Sequence, residues 1–269
     1  MTLEGASSDL LPTPPPFGQR ALDYIEARQG FPEALYERLF DARLVTPADR
    51  VVDLGTGTGE VALQLARRGC SVTGLDVSAP LLDGARRRAA EAGLAIDWRR
   101  VPAEQTGLPA ASFDVVTAGQ CWHWFDRTRA AEEAARLLVP GGRVVIAHID
   151  WITDPGGPLD DTLAVVADFG AWPSRSALGH DGFYPRWAAD LRGAGLVDIA
   201  SATFDVTMTY THDAWRRRMH ASAALCALDE ATLARFDLRY DARVASRHPG
   251  PLALPHRVFF ITARKEANR

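Results

Sequence analysis

Lysine is almost missing from this chain: of its 30 basic side chains only Lys265 is a lysine, and the rest are arginine. Such a bias, with abundant Ala, Gly, Pro and Asp, reads as the product of a GC-rich coding sequence and points to a high-GC bacterium. It is not a sign of arginine chemistry. Cysteine is scarce too. Cys70, Cys121 and Cys226 are odd in number and show no C-x-x-C spacing, which excludes a disulfide framework or a zinc site and suggests a reducing interior. No N-terminal stretch joins a basic head to an apolar run, and no apolar run approaches the roughly 18 residues of a membrane span. A soluble cytoplasmic protein without a membrane partner is the expectation. There is no basic excess: a net charge of −4 and a pI near 6.0 argue against a general nucleic-acid surface. The oligomeric state is not legible. The 269 residues suffice for one large α/β domain with insertions, burying a full core without cross-links.

What the chain does have is concentrated near residue 51. Val51-Val52-Asp53-Leu54 has buried-strand character and runs into Gly55-Thr56-Gly57-Thr58-Gly59. Glycines where a strand turns sharply into a helix let the backbone approach a ligand that a β-carbon would push away. The next strand-like segment, Val72 to Leu75, ends in Asp76. An acid about 20 residues after a glycine turn, at the tip of the neighbouring parallel strand, is well placed to accept hydrogen bonds from both hydroxyls of a ribose. The pair thus implies a nucleoside-bearing cofactor. Dinucleotide folds use the same strand, turn and acid, but with the spacing G-x-G-x-x-G. Here the spacing is G-x-G-x-G, and Glu60 occupies the place of the third dinucleotide glycine. A carboxylate in the first helical turn would repel a pyrophosphate and compete for the positive end of the helix dipole. A cofactor without phosphate fits better.

Strand and helix patterns then alternate: 50–54, 60–68, 71–75, 79–92, 95–100, 113–118, 127–138 and 143–149. This predicts right-handed crossovers and a parallel sheet covered on both faces. A helical reading precedes it, from about Arg20 to Ala42, broken near Gly30 to Pro32. Residues 1–17, with Pro12, Pro14, Pro15 and Pro16, cannot hold a helix or central strand and are expected to form a loosely docked or disordered tail before a single domain over 18–269. The second half leaves the alternating rhythm over about 150–183 and 210–252. These segments carry one helix near 160–169 and two helices within 211–246, around a helix at 185–195, a strand at 197–208 and a last strand at 256–263. Insertions at the C-terminal edge of an open sheet cover the crevice where ligands bind, so both are expected to form a lid.

Further motifs are Ala103-Glu104-Gln105-Thr106-Gly107-Leu108-Pro109, Ser112-Phe113-Asp114-Val115-Val116, Gln120-Cys121-Trp122-His123-Trp124-Phe125-Asp126 and Leu138-Val139-Pro140-Gly141-Gly142. Together with the glycine turn they resemble the class I S-adenosylmethionine (SAM) dependent methyltransferases, type 11 methyltransferase domain, and most closely the branch that includes trans-aconitate methyltransferases and other small-molecule enzymes. The resemblance covers most of residues 20–150. It implies a Rossmann-like, mostly parallel sheet with helices on both faces, an antiparallel last strand and helical lid insertions after the fifth and sixth strands. It also implies SAM as cofactor and methyl transfer to a small-molecule acceptor, with oxygen slightly favoured over nitrogen or carbon.

Gly55, Thr56, Gly57 and Gly59 should line the methionine and ribose, with Asp53 ordering the turn and reaching the cofactor directly or through water. Asp76 and its neighbour Val77 should flank the ribose; an alternative for Asp76 is a first-turn or capping carboxylate of the following helix. By resemblance, Ala103 and Glu104 approach the adenine edge, although Pro102 replaces the aspartate of many relatives. Gln120 is expected near the methionine amino group. By resemblance again, Tyr24 and Arg28 belong to an N-terminal segment that closes over the cofactor, where Gln29 replaces the usual proline. Arg28 could pair bidentately with the methionine carboxylate.

His123, between Trp122 and Trp124, could take a proton from an acceptor or orient it, or could be a structural histidine satisfied by a backbone carbonyl. The aromatic second half suggests a largely apolar acceptor pocket, for which Trp122, Trp151 and Trp187 are the candidates. Arg216, Arg217 and Arg218 could recognise an anion, but three successive helical residues point in different directions. His148, Asp150, His180 and Asp181 are further polar candidates.

The favoured function is a SAM-dependent small-molecule methyltransferase, with specialised metabolism ahead of general detoxifying methylation. A non-catalytic SAM-fold binding protein and a dinucleotide-dependent oxidoreductase are the alternatives.

Overall fold

The computed structural model of the chain describes residues 29–169, 184–222 and 224–267. Tyr24, Arg28, His180, Asp181 and the proline-rich tail lie outside them. The described chain runs α1 (Glu33–Asp41), β1 (Arg50–Leu54), α2 (Glu60–Arg67), β2 (Ser71–Asp76), α3 (Ala79–Glu91), β3 (Asp97–Arg100), β4 (Phe113–Gly119), a 3-10 turn (Trp122–Trp124), α4 (Arg127–Leu137) and β5 (Leu138–Trp151). There follow α5 (Pro158–Val166), α6 (Pro185–Gly193), β6 (Val197–Tyr210), α7 (His212–His220), α8 (Glu230–Tyr240), a π turn (Asp241–Ala245) and β7 (Leu252–Arg264).

The strands form one seven-stranded sheet in the order β3-β2-β1-β4-β5-β7-β6. The first five are parallel, and β7 runs antiparallel to both β5 and β6. The expected mostly parallel sheet with an antiparallel last strand is therefore present. β1 continues into β2 on one side, while β4 lies on its other side. The order reverses at this point, and the crevice beyond the carboxyl ends of β1 and β4 is where an open α/β sheet takes its ligand.

Buried strands explain the apolar runs. Val51, Val52 and Leu54 of β1 are fully enclosed. One face of the sheet packs Val52, Leu54, Val116, Val144 and Ile146 against α4 and α6; the other packs Val51, Val115, Val145 and Ala147 against α1 and α2. The helices start where their side chains permit it. Ser78 caps α3 by accepting from the Leu81 N–H, Asp126 caps α4 through Arg129, and Asp229 caps α8 through Thr232.

β5 begins at Leu138 rather than at 143, because the Pro140-Gly141-Gly142 step is absorbed by a register irregularity between Phe113 and Val115 instead of breaking the strand. β7 begins at Leu252 rather than 256: β6 runs on to Tyr210, and its pairing carries β7 outward across Pro255. The two insertions do not pack separately. Leu159 and Val165 of α5 share one core with Trp215 and Met219 of α7 and with Phe236 and Tyr240 of α8, at the C-terminal ends of β5 and β6. Buried Asp161 on α5 joins them by accepting from Arg243 at 3.1 Å, Arg247 at 2.8 Å and His248 at 2.8 Å. Burial alone would raise its pKa, but His248 and the two arginines hold it below the usual carboxylate value.

Candidate functional site

The turn after β1 places three glycines in the left-handed region: Gly55 at φ +62°, Gly57 at +56° and Gly59 at +79°. Their surroundings differ. A β-carbon on Gly55 would lie 2.8 Å from the Phe125 ring and 2.9 Å from the Cys121 sulfur, and one on Gly59 would lie 2.8 Å from the Trp98 indole. Those two positions require glycine because the protein itself packs against them. Only at Gly57 would a β-carbon meet nothing within 4 Å. The open approach expected of the whole turn belongs to Gly57.

Two carboxylates hold this turn, and they differ in kind. Asp53 is 1% exposed, and its oxygens accept from the Thr56 hydroxyl at 2.6 Å and the Thr117 hydroxyl at 2.7 Å. Burial, opposed by those bonds and reinforced by the charge of Asp76, pushes its pKa up to about 6. It orders the turn, as expected. A direct contact with a ligand is not available to so enclosed a group, which corrects half of the expectation. Thr56 is turned the same way: its hydroxyl serves Asp53, its N–H donates to Leu75 and its carbonyl accepts from Gly59. Both N–H and O–H donors of Thr56 are thus used within the protein.

Asp76 is only partly buried. It accepts from the Gly57 N–H and the Ser78 N–H, each at 2.8 Å. The helix cap is Ser78 and not Asp76, so the capping alternative falls away. Burial raises the Asp76 pKa against the pull of these backbone bonds. Beside it Val77 is 60% exposed, one of few large apolar side chains so placed. Glu60, read as a guard against phosphate, pairs with Arg88 at 2.8 Å, and Gly30 lies against its carboxylate. Its charge is neutralised locally, so repulsion of a phosphate is a weaker argument than the sequence suggested.

The segment after β4 contains a strained residue. Gln120 has φ +61°, a left-handed conformation that costs a non-glycine residue of order 1–3 kcal/mol. Its side-chain amide is bonded at both ends to Ile149 of β5: Nε2 donates to the carbonyl at 3.0 Å and Oε1 accepts from the N–H at 2.7 Å. The neighbouring strand edge thus takes one N–H and one lone pair of the amide, leaving one of each for the expected contact with a methionine end. Ala103 is buried, and Glu104 accepts from the Asp126 N–H at 3.0 Å, supporting the start of α4.

Trp122 is fully buried, packs edge-on to Phe125 and donates weakly to Asp190 at 3.3 Å. Trp187 is also buried and stacks on Tyr184 with ring centroids 4.1 Å apart. Both are core residues here, which corrects their assignment to an acceptor pocket: large rings between strand and helix contribute most when fully enclosed. Trp151 is only partly buried, edge-on to Trp215 at 5.5 Å.

His123 lies partly buried beside Trp124, at 4.7 Å, and edge-on to His148, at 5.2 Å. His148, which was not ranked from sequence, is buried with its Nε2 3.4 Å from Asp150, and Asp150 accepts from the Tyr184 hydroxyl at 2.6 Å. The period of two along β5 puts His148 and Ile146 on one face, a relation readable in advance. The distance between His123 and His148 was not.

Over the C-terminal edge, Gln29 donates to the Thr209 carbonyl at 2.8 Å, and the Phe31 ring approaches Gly119. The chain entering α1 thus crosses from β6 to β4 above the crevice. Asp76 and Val77 there suit a nucleoside: the free lone pairs of a carboxylate for a sugar beside an apolar surface for a base.

Residues 52–146 match the family model described as a methyltransferase domain. An uncharacterised methyltransferase of Mycobacterium tuberculosis is 32% identical over 166 residues, which are 62% of this chain and 60% of that protein. The methyltransferase GfsG of Streptomyces halstedii is 38% identical over 185 residues, 66% of this chain and 64% of the relative. The chain thus spans about three fifths of the length of these curated relatives. Among solved structures, a putative type II methyltransferase from Anaeromyxobacter dehalogenans superimposes with a TM-score of 0.62 at 21% identity, covering 90% of this chain and 99% of the other. Residues 52–146 thus carry a methyltransferase domain, and domain, relatives and sheet order alike resemble the class I S-adenosylmethionine-dependent methyltransferases.

Proposed function

We propose that this protein is a SAM-dependent methyltransferase acting on a small-molecule acceptor. The single observation that carries the reading is the bond from Gly57 N–H to Asp76, at the one glycine of the turn with open space around it and at the reversal of strand order. Asp76 keeps lone pairs for the two ribose hydroxyls while its backbone donors hold it in place. Val77 and the backbone at Ala103 and Glu104 would cover the adenine; Gly57 keeps the floor of the site free of a side chain, and the backbone of Gly55, Thr56 and Gly59 completes the turn around it. Tyr24 and Arg28, outside the described residues, are assigned to closure over the methionine end.

When bound, SAM supplies a methyl group already activated on a positively charged sulfur. The protein's task is then largely alignment and exclusion of water, which in favourable systems contributes about 7–11 kcal/mol. His123 faces the same end of the sheet and is assigned the role of orienting a hydroxyl or amine, or of receiving its proton. Oxygen is the favoured acceptor atom, as in the resemblance read from the motifs, and tailoring of a specialised metabolite the favoured setting. Support for a small acceptor comes from the helical insertions, which build a shared core at the carboxyl ends of β5 and β6, beside the crevice.

Titration calorimetry with SAM and with S-adenosylhomocysteine tests the reading. Micromolar binding to the wild type and its loss in Asp76→Ala are the expected results; no heat from either cofactor overturns the proposal. Incubation of the SAM-loaded protein with extracts of its host, followed by mass spectrometry for methylated products, separates an enzyme from a SAM-binding protein without transfer.

A further inference from the structure

The three successive arginines of α7 have different fates. Arg216 is neutralised twice, by Asp213 at 2.5 Å and Asp241 at 2.9 Å, and Arg217 is exposed. Arg218 is half-buried, and its guanidinium carbon stands 5.5 Å above the Trp151 ring. Among the described residues it makes no hydrogen bond and has no carboxylate within 4.0 Å. Most other half-buried arginines among the described residues are paired, as Arg88 is with Glu60, Arg127 with Asp190 and Arg68 with Glu33; Arg143 on β5 is the exception. A half-buried guanidinium with no carboxylate beside it is a candidate recognition group for an anion. Desolvation depresses the Arg218 pKa; the titratable groups nearest to it are Tyr210, and His256 whose own pKa it helps to lower. The carboxylate next along, Asp150, is held by Tyr184 and His148.

The position is as informative as the isolation. Trp151 is the last residue of β5, two beyond Ile149, to which Gln120 is bonded. At about 3.3 Å per residue, Trp151 stands roughly 7 Å further out along the strand. Arg218 is therefore on the same edge of the sheet as Gly57 and Asp76, on the acceptor side and under the helical insertions. Partly buried Trp151 is the apolar ring beside it; Trp215 and Tyr210 lie behind Trp151 in the shared core, with ring centroids 5.5 Å from Trp151 to Trp215 and 5.0 Å from Tyr210 to Trp215.

We propose that Arg218 is the anion-recognition residue of the acceptor site, and that the acceptor is an organic carboxylate with an apolar body. The planar guanidinium would bind it bidentately, with no proton moved, while the exposed part of the Trp151 ring takes the hydrocarbon. The assignment rests on the methyltransferase reading and names its substrate class.

The test uses thermal unfolding of the full chain and of Arg218→Met, which keeps the length of the side chain and removes the charge. Without ligand, Arg218→Met is expected to melt at the wild-type temperature or above it; a lower melting point would make Arg218 a structural cation on Trp151 and overturn the proposal. With saturating S-adenosylhomocysteine, benzoate, phenylpropionate or decanoate is expected to raise the wild-type melting temperature by about 2–4 °C. The corresponding amides and inorganic phosphate should have no effect, and Arg218→Met should respond to none of the probes. Equal responses in both proteins, or none to any carboxylate in the wild type, overturn it. Calorimetry with S-adenosylhomocysteine alone separates the two readings: binding to both proteins leaves the family function standing whatever the carboxylates do, whereas binding to neither removes it.

Discussion

The Gly57 N–H donates to Asp76 across 2.8 Å, so the turn that ends β1 and the acid that ends β2 form one piece. Ser78 N–H donates to the other oxygen of the same carboxylate. Removing this side chain leaves two partly buried donors unpaired as well as removing the sugar's acceptor. Asp76→Ala is expected to weaken S-adenosylhomocysteine binding by at least about tenfold and to destabilise the fold by about 1–3 kcal/mol. Calorimetry and urea unfolding read the two effects; unchanged affinity would show that the carboxylate serves the turn only.

Gly55 and Gly57 share a backbone conformation but not a neighbourhood. Gly55→Ala must displace Phe125 or Cys121, whereas Gly57→Ala points into open space. Both pay about 1–2 kcal/mol for a left-handed alanine. Gly55→Ala is expected to cost more stability than Gly57→Ala, and Gly57→Ala to lose cofactor affinity while remaining folded. Paired measurements of unfolding and binding check the contrast, and equal stability losses would contradict it.

Asp53 links stability to pH. Its folded pKa, about 6, lies above the ordinary 3.8. A raised carboxylate is easily held while protonated, so its favourable contribution is complete below about pH 4 and is lost as pH rises through about 6. About two pKa units correspond to roughly 3 kcal/mol. The stability of Asp53→Asn relative to wild type should therefore improve on going from pH 4 to pH 7. Urea midpoints for both proteins across that range measure it, and parallel curves would refute it.

Asp161 gathers Arg243, Arg247 and His248 beneath α5. Asp161→Ala leaves three cationic or ionisable groups without their shared acceptor, and because all three reach solvent the loss costs about 1–3 kcal/mol. The two insertions are expected to loosen together while the sheet stays protected. Hydrogen exchange should rise over α5 and residues 241–248 but not over β1, β4 and β5; uniform protection would show that the apolar core alone holds them.

The sheet, its strand order and the turn were legible because they depend on short-range signals: apolar runs of strand length, helices of about three turns, glycines and an acid at strand ends. Gln120 shows where that legibility stops. Its place after β4 marked it as a ligand contact, but its amide is bonded to Ile149, 29 residues away. Trp122 and Trp187 were equally ambiguous, since a large ring suits a pocket and a core alike. Arg216 and Arg218 are indistinguishable as letters, and only the positions of Asp213, Asp241 and Trp151 separate a paired charge from an isolated one.

The amino-acid order alone settled that an alternating α/β sheet carries a glycine turn and a ribose-binding acid at neighbouring strand tips, because periodicity and turn chemistry act over a few residues. Tertiary structure alone decided which glycine of the turn is open, which carboxylate is sealed and how the neighbouring Arg216 and Arg218 differ in their partners. Those properties arise from contacts between segments tens of residues apart, and a linear chain does not state which of its side chains will meet.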